Sequence, residues 1–381
     1  MGAHDNRRRL LASLAIVMLV AGCGGSSNTT PTTVATAGPT ATAARISTSP
    51  ATLTPAPTGT PVPTPTVAPT IGEPADDGAR IIAVESPTSL PLVSWVDGNF
   101  VNTGSFPVTR ARELTIDSPA VGIVQVLLLL PGGFDAHPST RWPVLYLLAG
   151  SGGGHLDWTN WGDAEARTSK TDLLVVIPDQ GAGGPSDASF TDWWNGGKGG
   201  RPMWETFHLV ELRQLLERNW QAGDKRAIAG VSAGGYGAME YATRHPGMFL
   251  FAGSYSGPSH PTGAAWGPVP DAQWGDPVAQ ADVWKAHDPY LNAAALKGTG
   301  LFVSYGNGEP GALDDYAVCP WDPTGEVERF VAAEGAAFVK RVGELKMPVT
   351  VYAYGNGTHN LPYFQRAFDR SLPLILKALG E

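Results

Sequence analysis

The feature that most constrains this chain is the run Ala227-Ile228-Ala229-Gly230-Val231-Ser232-Ala233-Gly234-Gly235-Tyr236-Gly237. It sets a Gly-x-Ser-x-Gly pattern between a short apolar stretch and the helix-compatible Ala238-Met239-Glu240-Tyr241-Ala242. A serine on a sharp strand-to-helix turn takes a strained backbone conformation, so the residues two before and two after it must be small. Gly230 and Gly234 meet that requirement. The turn carries the Ser232 hydroxyl clear of the sheet and offers the Ala233 backbone N–H as one donor to an oxyanion. With 47 glycines in 381 residues the pattern alone is weak. Its weight comes from the strand before it and the helix after it, and together they imply covalent catalysis through serine.

Several other apolar runs read as strands buried on both faces: Val144 to Leu148, Leu173 to Pro178, Ala227 to Val231, Leu301 to Tyr305 and Val349 to Tyr354. None has the polar alternation of a one-sided sheet. Val124 to Leu130 ends at Pro131-Gly132-Gly133 and reads as a further strand and turn, too short to cross a membrane. Between these runs lie helical patterns. One spans Met203 to Trp220, with Phe207, Val210, Leu212, Leu215 and Leu216 at helical spacing, and another Glu328 to Leu345. The alternation predicts an α/β fold with a mostly parallel sheet covered by helices on both faces. Reactive side chains then gather on loops at the carboxyl ends of the strands.

Three such loops carry chemistry. Ser232 follows one strand, and Gly355-Asn356-Gly357-Thr358-His359-Asn360 follows the last, which predicts His359 as the general base. The chain order serine, acid, histidine fits an α/β-hydrolase arrangement. The third loop, Ala149-Gly150-Ser151-Gly152-Gly153-Gly154, predicts a second oxyanion donor in the Ser151 backbone N–H. It lacks the Lys-Ser/Thr ending of a phosphate loop and the spacing of a dinucleotide fingerprint, so no nucleotide cofactor is expected. Glu309, Asp314, Asp315 and Glu328 all lie between Ser232 and His359, and spacing does not choose the acid among them.

The amino terminus predicts a compartment. Arg7-Arg8-Arg9 forms a basic region, Leu10 to Val20 an apolar one too short to span a bilayer, and Val20-Ala21-Gly22-Cys23 closes it with small residues before a cysteine. Residues 1–22 therefore read as a lipoprotein signal peptide and Cys23 as the lipidated first residue of the mature protein, tied to a membrane. Asn6 to Leu11 also fits a twin-arginine export signal loosely. Residues 23–80 are rich in Thr, Pro and Ala, with too little apolar area to offset folding entropy, and predict a disordered tether. Residues 81–381 are long enough for one α/β domain. The chain has two cysteines, Cys23 and Cys319, so lipidation of the first leaves no disulfide framework, and Cys319 reads as a packed thiol.

A formal net charge of −9 with no basic cluster outside the signal argues against nucleic acid as a partner. His155, His208, His245, His260 and His287 show no metal-ligand spacing, and no metal is expected. Trp158, Trp161, Trp193, Trp194 and Trp204 fit either an acyl or sugar groove or ordinary core and rim packing.

Seven stretches carry a resemblance: Leu147-Leu148-Ala149-Gly150-Ser151, Asp157-Trp158-Thr159-Asn160-Trp161, Trp204-Glu205-Thr206-Phe207, Gly230-Val231-Ser232-Ala233-Gly234, His245-Pro246, Tyr305-Gly306-Asn307-Gly308 and Asn356-Gly357-Thr358-His359. In type and order they resemble the antigen 85 mycolyltransferases, within the wider esterase D-like group of α/β hydrolases. That resemblance implies a Ser-Glu-His triad with its glutamate in a Leu-Glu-x-Phe-Val-like segment. Val327-Glu328-Arg329-Phe330-Val331 matches, which selects Glu328, with Glu309 second. The family's Asp-Gly-Leu-Arg stretch is replaced by Ala149-Gly150-Ser151-Gly152, which keeps backbone donors but loses polar side chains that engage an acceptor. The family's paired cysteines are also missing. The expectation is a cell-surface serine esterase or acyltransferase that forms an acyl-Ser232 intermediate from an acyl-ester substrate, with water, a glycolipid or a sugar as acceptor. The competing reading is a catalytically silent surface-binding module of the same fold.

Overall fold

Alternate residues of the apolar runs enter two separate cores, and this divides the molecule into layers. The computed structural model describes residues 71–96, 99–180, 190–194, 202–263, 271–316 and 322–381. The signal peptide, Cys23, the tether as far as residue 70 and Cys319 lie outside the described residues. In β6 (Trp142–Leu148), Val144, Tyr146 and Leu148 face one core while Leu145 and Leu147 face the other. In β8 (Ala222–Val231), Ile228 faces the first core, and Ala227, Ala229 and Val231 the second. A period of two with both faces apolar is what a strand covered on both sides requires.

The remaining strands of this sheet are β1 (Arg80–Glu85), β4 (Ala111–Ser118), β5 (Gly122–Leu129), β7 (Leu174–Pro178), β9 (Phe251–Tyr255), β10 (Gly300–Tyr305) and β11 (Thr350–Ala353). Their order is β1-β4-β5-β7-β6-β8-β9-β10-β11. Pairing is antiparallel from β1 through β7 and parallel from β7 to β11. A separate hairpin, β2 (Ser89–Val96) with β3 (Asn99–Pro107), lies between β1 and β4 in sequence.

Helices close both faces. The main ones are α1 (Asp157–Asn160), α2 (Leu212–Asn219), α3 (Ala233–Arg244), α4 (Glu326–Glu344) and α5 (Leu361–Leu379). Leu212, Leu215 and Leu216 of α2, Met239 and Tyr241 of α3 and Phe338 and Val342 of α4 fill the first core. Phe364, Ala367, Phe368 and Ile375 of α5 fill the second. Among the described residues no helix is long and apolar enough to cross a membrane.

Two expectations change on contact with the structure. Val349 to Tyr354 was expected to be buried on both faces, yet β11 is the sheet edge, with Thr350 and Ala353 exposed and Val351 39% accessible. Its apolar composition serves one covered side only. Residues 71–79, which composition assigns to the tether, lie against α2. Glu73 N–H donates to Asn219 Oδ1 at 2.6 Å, Asn219 Nδ2 donates back to Glu73 O at 2.9 Å, and Ala75 and Ala79 are buried.

Register aligns the functional loops. Leu148 pairs with Gly230, Val231 with Tyr255, Tyr255 with Ser304, and Tyr305 with Ala353. The carboxyl ends of β6, β8, β9, β10 and β11 therefore stop at one level, and the segments that follow them share one edge.

Candidate active site

Ser232 holds φ 56° and ψ −123°, a region that non-glycine residues rarely occupy. The strain persists because its neighbours leave no alternative. A Cβ on Gly230 would lie 2.2 Å from Gly234 O, and one on Gly234 would lie 2.4 Å from both Ala149 O and Leu148 O. The elbow is fixed by Ser232 N–H donating to Tyr255 O at 2.9 Å, and α3 starts where Tyr236 N–H donates to Ser232 O at 3.1 Å. Ser232 remains half-buried.

The glycine loop after β6 meets the elbow directly. A Cβ on Gly150 would sit 3.4 Å from Ser232 Cβ. Gly153 N–H donates to Gly150 O at 3.0 Å and closes a four-residue turn, in which Gly152 has φ 71°. Ser151, in the loop after β6, and Ala233, at the start of α3 after β8, the two residues whose N–H groups are expected to face an oxyanion, thus follow neighbouring strands.

His359 is 4% exposed and Glu328 fully buried, and His359 Nδ1 lies 2.8 Å from Glu328 Oε2. A carboxylate only accepts, so Nδ1 donates its proton to Glu328 and Nε2 is the ring nitrogen left to face the serine side. The other Glu328 oxygen, Oε1, accepts from Gly306 N–H at 2.6 Å, Tyr354 O–H at 2.7 Å and Ser256 Oγ at 2.9 Å. Four donors on one buried carboxylate repay its removal from water. Burial, followed by the Glu328 charge, pushes the Tyr354 phenol well above its ordinary value, so it stays a donor. The His359 ring meets Phe364 edge-on at 4.9 Å, Phe364 meets Trp161 at 6.3 Å, and Trp161 packs on Trp158 at 4.8 Å. Trp158 Nε1 donates to Leu148 O at 2.9 Å, which links the histidine side of the edge to the glycine loop.

The other acid candidates sit elsewhere. Glu309 is 64% exposed and its carboxylate is 3.8 Å from Arg329. Asp314 braces the histidine loop, accepting from Thr358 N–H at 3.1 Å and Thr358 Oγ1 at 2.9 Å. Asp315 is exposed.

Sequence reasoning passed over Asp322. It is 1% exposed and accepts from Val327 N–H (3.1 Å), Glu328 N–H (3.1 Å) and His359 N–H (3.0 Å). It caps α4 and clamps both partners of the Glu328–His359 pair. A polar residue six before a predicted glutamate at a helix start was the available signal. Ser256, which follows β9, was also missed, because Gly253-Ser254 interrupts the apolar run.

Of two further titratable groups, Asp157 stands against the glycine loop and His208 bonds the Asp179 carbonyl. Burial pushes the Asp157 carboxyl up to about 7, with bonds from Gly154 and Trp161 pulling the other way. His208 is fully buried, accepts from Tyr241 O–H at 2.8 Å on Nδ1 and donates to Asp179 O at 2.9 Å from Nε2. Burial pulls it down to about 4, so it is neutral.

Four further histidines pair with carboxylates: His155 with Glu113 (2.9 Å), His245 with Glu205 (2.6 Å), His260 with Asp288 (2.8 Å) and His287 with Glu240. The sequence showed no metal-ligand spacing, yet the fold brings Glu205, Glu240 and His287 together with ligand atoms within 4.8 Å of one another. Arg244 Nε already donates to both Glu205 oxygens, at 2.9 and 3.0 Å. That guanidinium occupies the place of a counter-charge and would repel a cation. Of the tryptophans, Trp158, Trp193 and Trp204 are core, Trp161 is half-buried and Trp194 is 46% exposed.

Residues 122–375 match the model of the family described as "Putative esterase". The chain is 31% identical over 325 residues to the diacylglycerol acyltransferase/mycolyltransferase Ag85B of Mycobacterium intracellulare, covering 79% of this chain and 93% of that one. Among solved structures it is similar to MPT51 of Mycobacterium tuberculosis, with a TM-score of 0.58 and 25% identity over 72% of this chain and 99% of the other. An S-formylglutathione hydrolase from Agrobacterium tumefaciens shares the fold at a TM-score of 0.57 and 16% identity, over 73% and 99% of the two chains.

Proposed function

From the premise that this chain belongs to the esterase family of α/β hydrolases, we propose that it is an extracytoplasmic serine esterase or acyltransferase working through an acyl-Ser232 intermediate. One observation carries the reading. The strained Ser232 follows β8, His359 lies on the loop after β11, and Glu328, in the first turn of α4, stands 2.8 Å from His359 in a buried pair at the same edge of the sheet. A fold kept for adhesion alone has no physical use for a strained serine and a four-times-bonded carboxylate behind a histidine.

In the proposed reaction Ser232 Oγ attacks the ester carbonyl carbon while its proton passes to His359 Nε2. Negative charge on the carbonyl oxygen is met by the Ser151 and Ala233 N–H groups. Collapse breaks the ester C–O bond, and the leaving alcohol takes the proton from His359. An incoming hydroxyl then attacks the acyl-serine, gives its proton to His359, and Ser232 leaves as the restored hydroxyl. Glu328 holds the imidazole in the required tautomer and offsets its transient positive charge.

The likeness to an acyltransferase supports an acyl ester as donor, and a sugar or lipid hydroxyl competing with water as acceptor. Lipidated Cys23 and the tether from residue 23 would hold the domain at the membrane. A fluorophosphonate probe should label the wild-type protein on Ser232 and leave Ser232→Ala unlabelled and without p-nitrophenyl ester turnover, its Tm unchanged. Turnover retained by that variant would refute the reading. Product identification with and without added sugars separates hydrolysis from transfer.

A further inference from the structure

Gln180, two residues beyond β7, is fully buried, and its side chain reaches the glycine loop. Its Nε2 donates to Gly150 O, which already accepts from Gly153 N–H at 3.0 Å. The assignment of the amide is fixed by chemistry, because a carbonyl oxygen can only receive a donor. Gln180 Oε1 therefore points away, and it is buried with no hydrogen-bond partner among the described residues. An unmet buried acceptor is a folding cost that a methionine of similar volume would not incur. The amide is placed for its donor.

Gly150 O belongs to the same peptide plane as Ser151 N–H. In a trans peptide the two groups point in opposite directions, so whatever holds the carbonyl also aims the N–H. Gly150 has no side chain to limit its backbone, and Gly152 at φ 71° leaves the turn free of Cβ restraint. A loop of this composition needs an external hold. Gln180 is itself held: Asp179 N–H donates to Gln125 O at 3.0 Å, His208 Nε2 donates to Asp179 O at 2.9 Å, and Gln180 N–H donates to Asp179 Oδ1 at 2.8 Å.

We propose that Gln180 is a positioning residue for the esterase reaction: by binding Gly150 O it turns the Ser151 N–H toward the carbonyl oxygen of a substrate bound at Ser232. This rests on the serine-esterase reading above. It acts on charge that develops only in the tetrahedral state, so it bears on kcat and leaves ground-state binding alone.

The test compares wild type with Gln180→Met, which keeps volume and loses the donor, and Gln180→Asn, which keeps the amide and loses reach. Expected for both is a roughly 10- to 100-fold fall in kcat with KM within about twofold, since whole oxyanion donors are worth about 100- to 1,000-fold. Affinity for a trifluoromethyl ketone, which forms a tetrahedral adduct on serine, should fall in proportion to kcat/KM across the variants. Should Gln180→Met fail to fold, Gln180→Asn carries the same comparison. A folded variant with wild-type kcat, or one whose loss lies in KM with ketone affinity unchanged, would overturn the assignment. Fluorophosphonate labelling of wild type separates the two failures: without an adduct on Ser232 the esterase reading falls and this assignment with it, whereas a normal adduct with insensitive variants removes Gln180 alone.

Discussion

Asp322 Oδ2 accepts the backbone N–H of His359 at 3.0 Å, and the same oxygen accepts the N–H of Glu328 at 3.1 Å. One buried oxygen thus sets the separation of two residues 31 positions apart in sequence. Asp322→Ala would leave three backbone donors unmet around a cavity, at a cost of about 1–3 kcal/mol for each unmet group. The expected outcome is a lowered Tm together with at least a tenfold loss of kcat. Asp322→Asn keeps one acceptor oxygen and should recover part of both. Thermal melts beside ester kinetics read the two effects, and an Asp322→Ala protein with normal kcat would show that the loop holds its shape unaided.

The acid is separable by paired substitutions. Glu328→Gln retains shape but replaces the acceptor of His359 Nδ1–H with a neutral amide, so in the proposed reaction the histidine would lose the charge that stabilises it while it carries the serine proton. A kcat loss of about 1,000-fold or more is expected. Glu309→Gln alters an exposed carboxylate 3.8 Å from Arg329 and should stay within about twofold, as exposed pairs contribute little. The reverse pattern would move the acid to Glu309. Adding Ser232→Ala to Glu328→Gln should cost little more than Ser232→Ala alone, because the residues act as a unit.

The elbow, the histidine loop and most strands of the parallel half were legible because each is a local pattern: an apolar run followed by glycines, whose excluded Cβ positions now show why no larger residue fits at 230 or 234. The antiparallel edge β1, β4 and β5 was legible only at β5, since Arg112, Glu113 and Asp117 give β4 a half-exposed strand's mixed composition. What stayed hidden was non-local. Asp322 and Gln180 act through backbone groups far away in sequence, and a hydrogen bond to a backbone atom leaves no side-chain motif. The glycine loop's lost polar side chains also read differently in three dimensions. A Cβ on Gly153 would lie 2.2 Å from Asp157 Oδ2, so a carboxyl from α1 already stands against the loop, while the positive φ of Gly152 makes an arginine there a strained replacement.

Anchoring is testable without enzymology. If Cys23 carries lipid, full-length protein expressed in a bacterium should sediment with membranes, and proteolysis within residues 24–70 should release a soluble, active domain. Cys23→Ser should move the protein to the soluble fraction. Membrane attachment that survives Cys23→Ser would reject the lipid anchor.

His208 gives the fold a defined acid limb. Its imidazole is neutral in the native state, pulled down to about 4 by burial, whereas an unfolded histidine titrates near 6.5. Between those values the unfolded chain binds the additional proton, so stability from this residue is complete above pH 6.5 and is lost as pH falls through 4. His208→Gln removes the titration and weakens the bonds to Tyr241 O–H and Asp179 O. At pH 8 the variant should therefore be less stable than wild type, by about 1–3 kcal/mol. As pH falls from 6.5 to 4 the gap should close by up to about 3 kcal/mol, because only wild type meets the protonation cost. Urea denaturation of both proteins at pH 8, 6, 5 and 4 reads the gap directly. A gap that is constant with pH would mean that His208 titrates alike in the folded and unfolded states, and that burial does not hold it neutral.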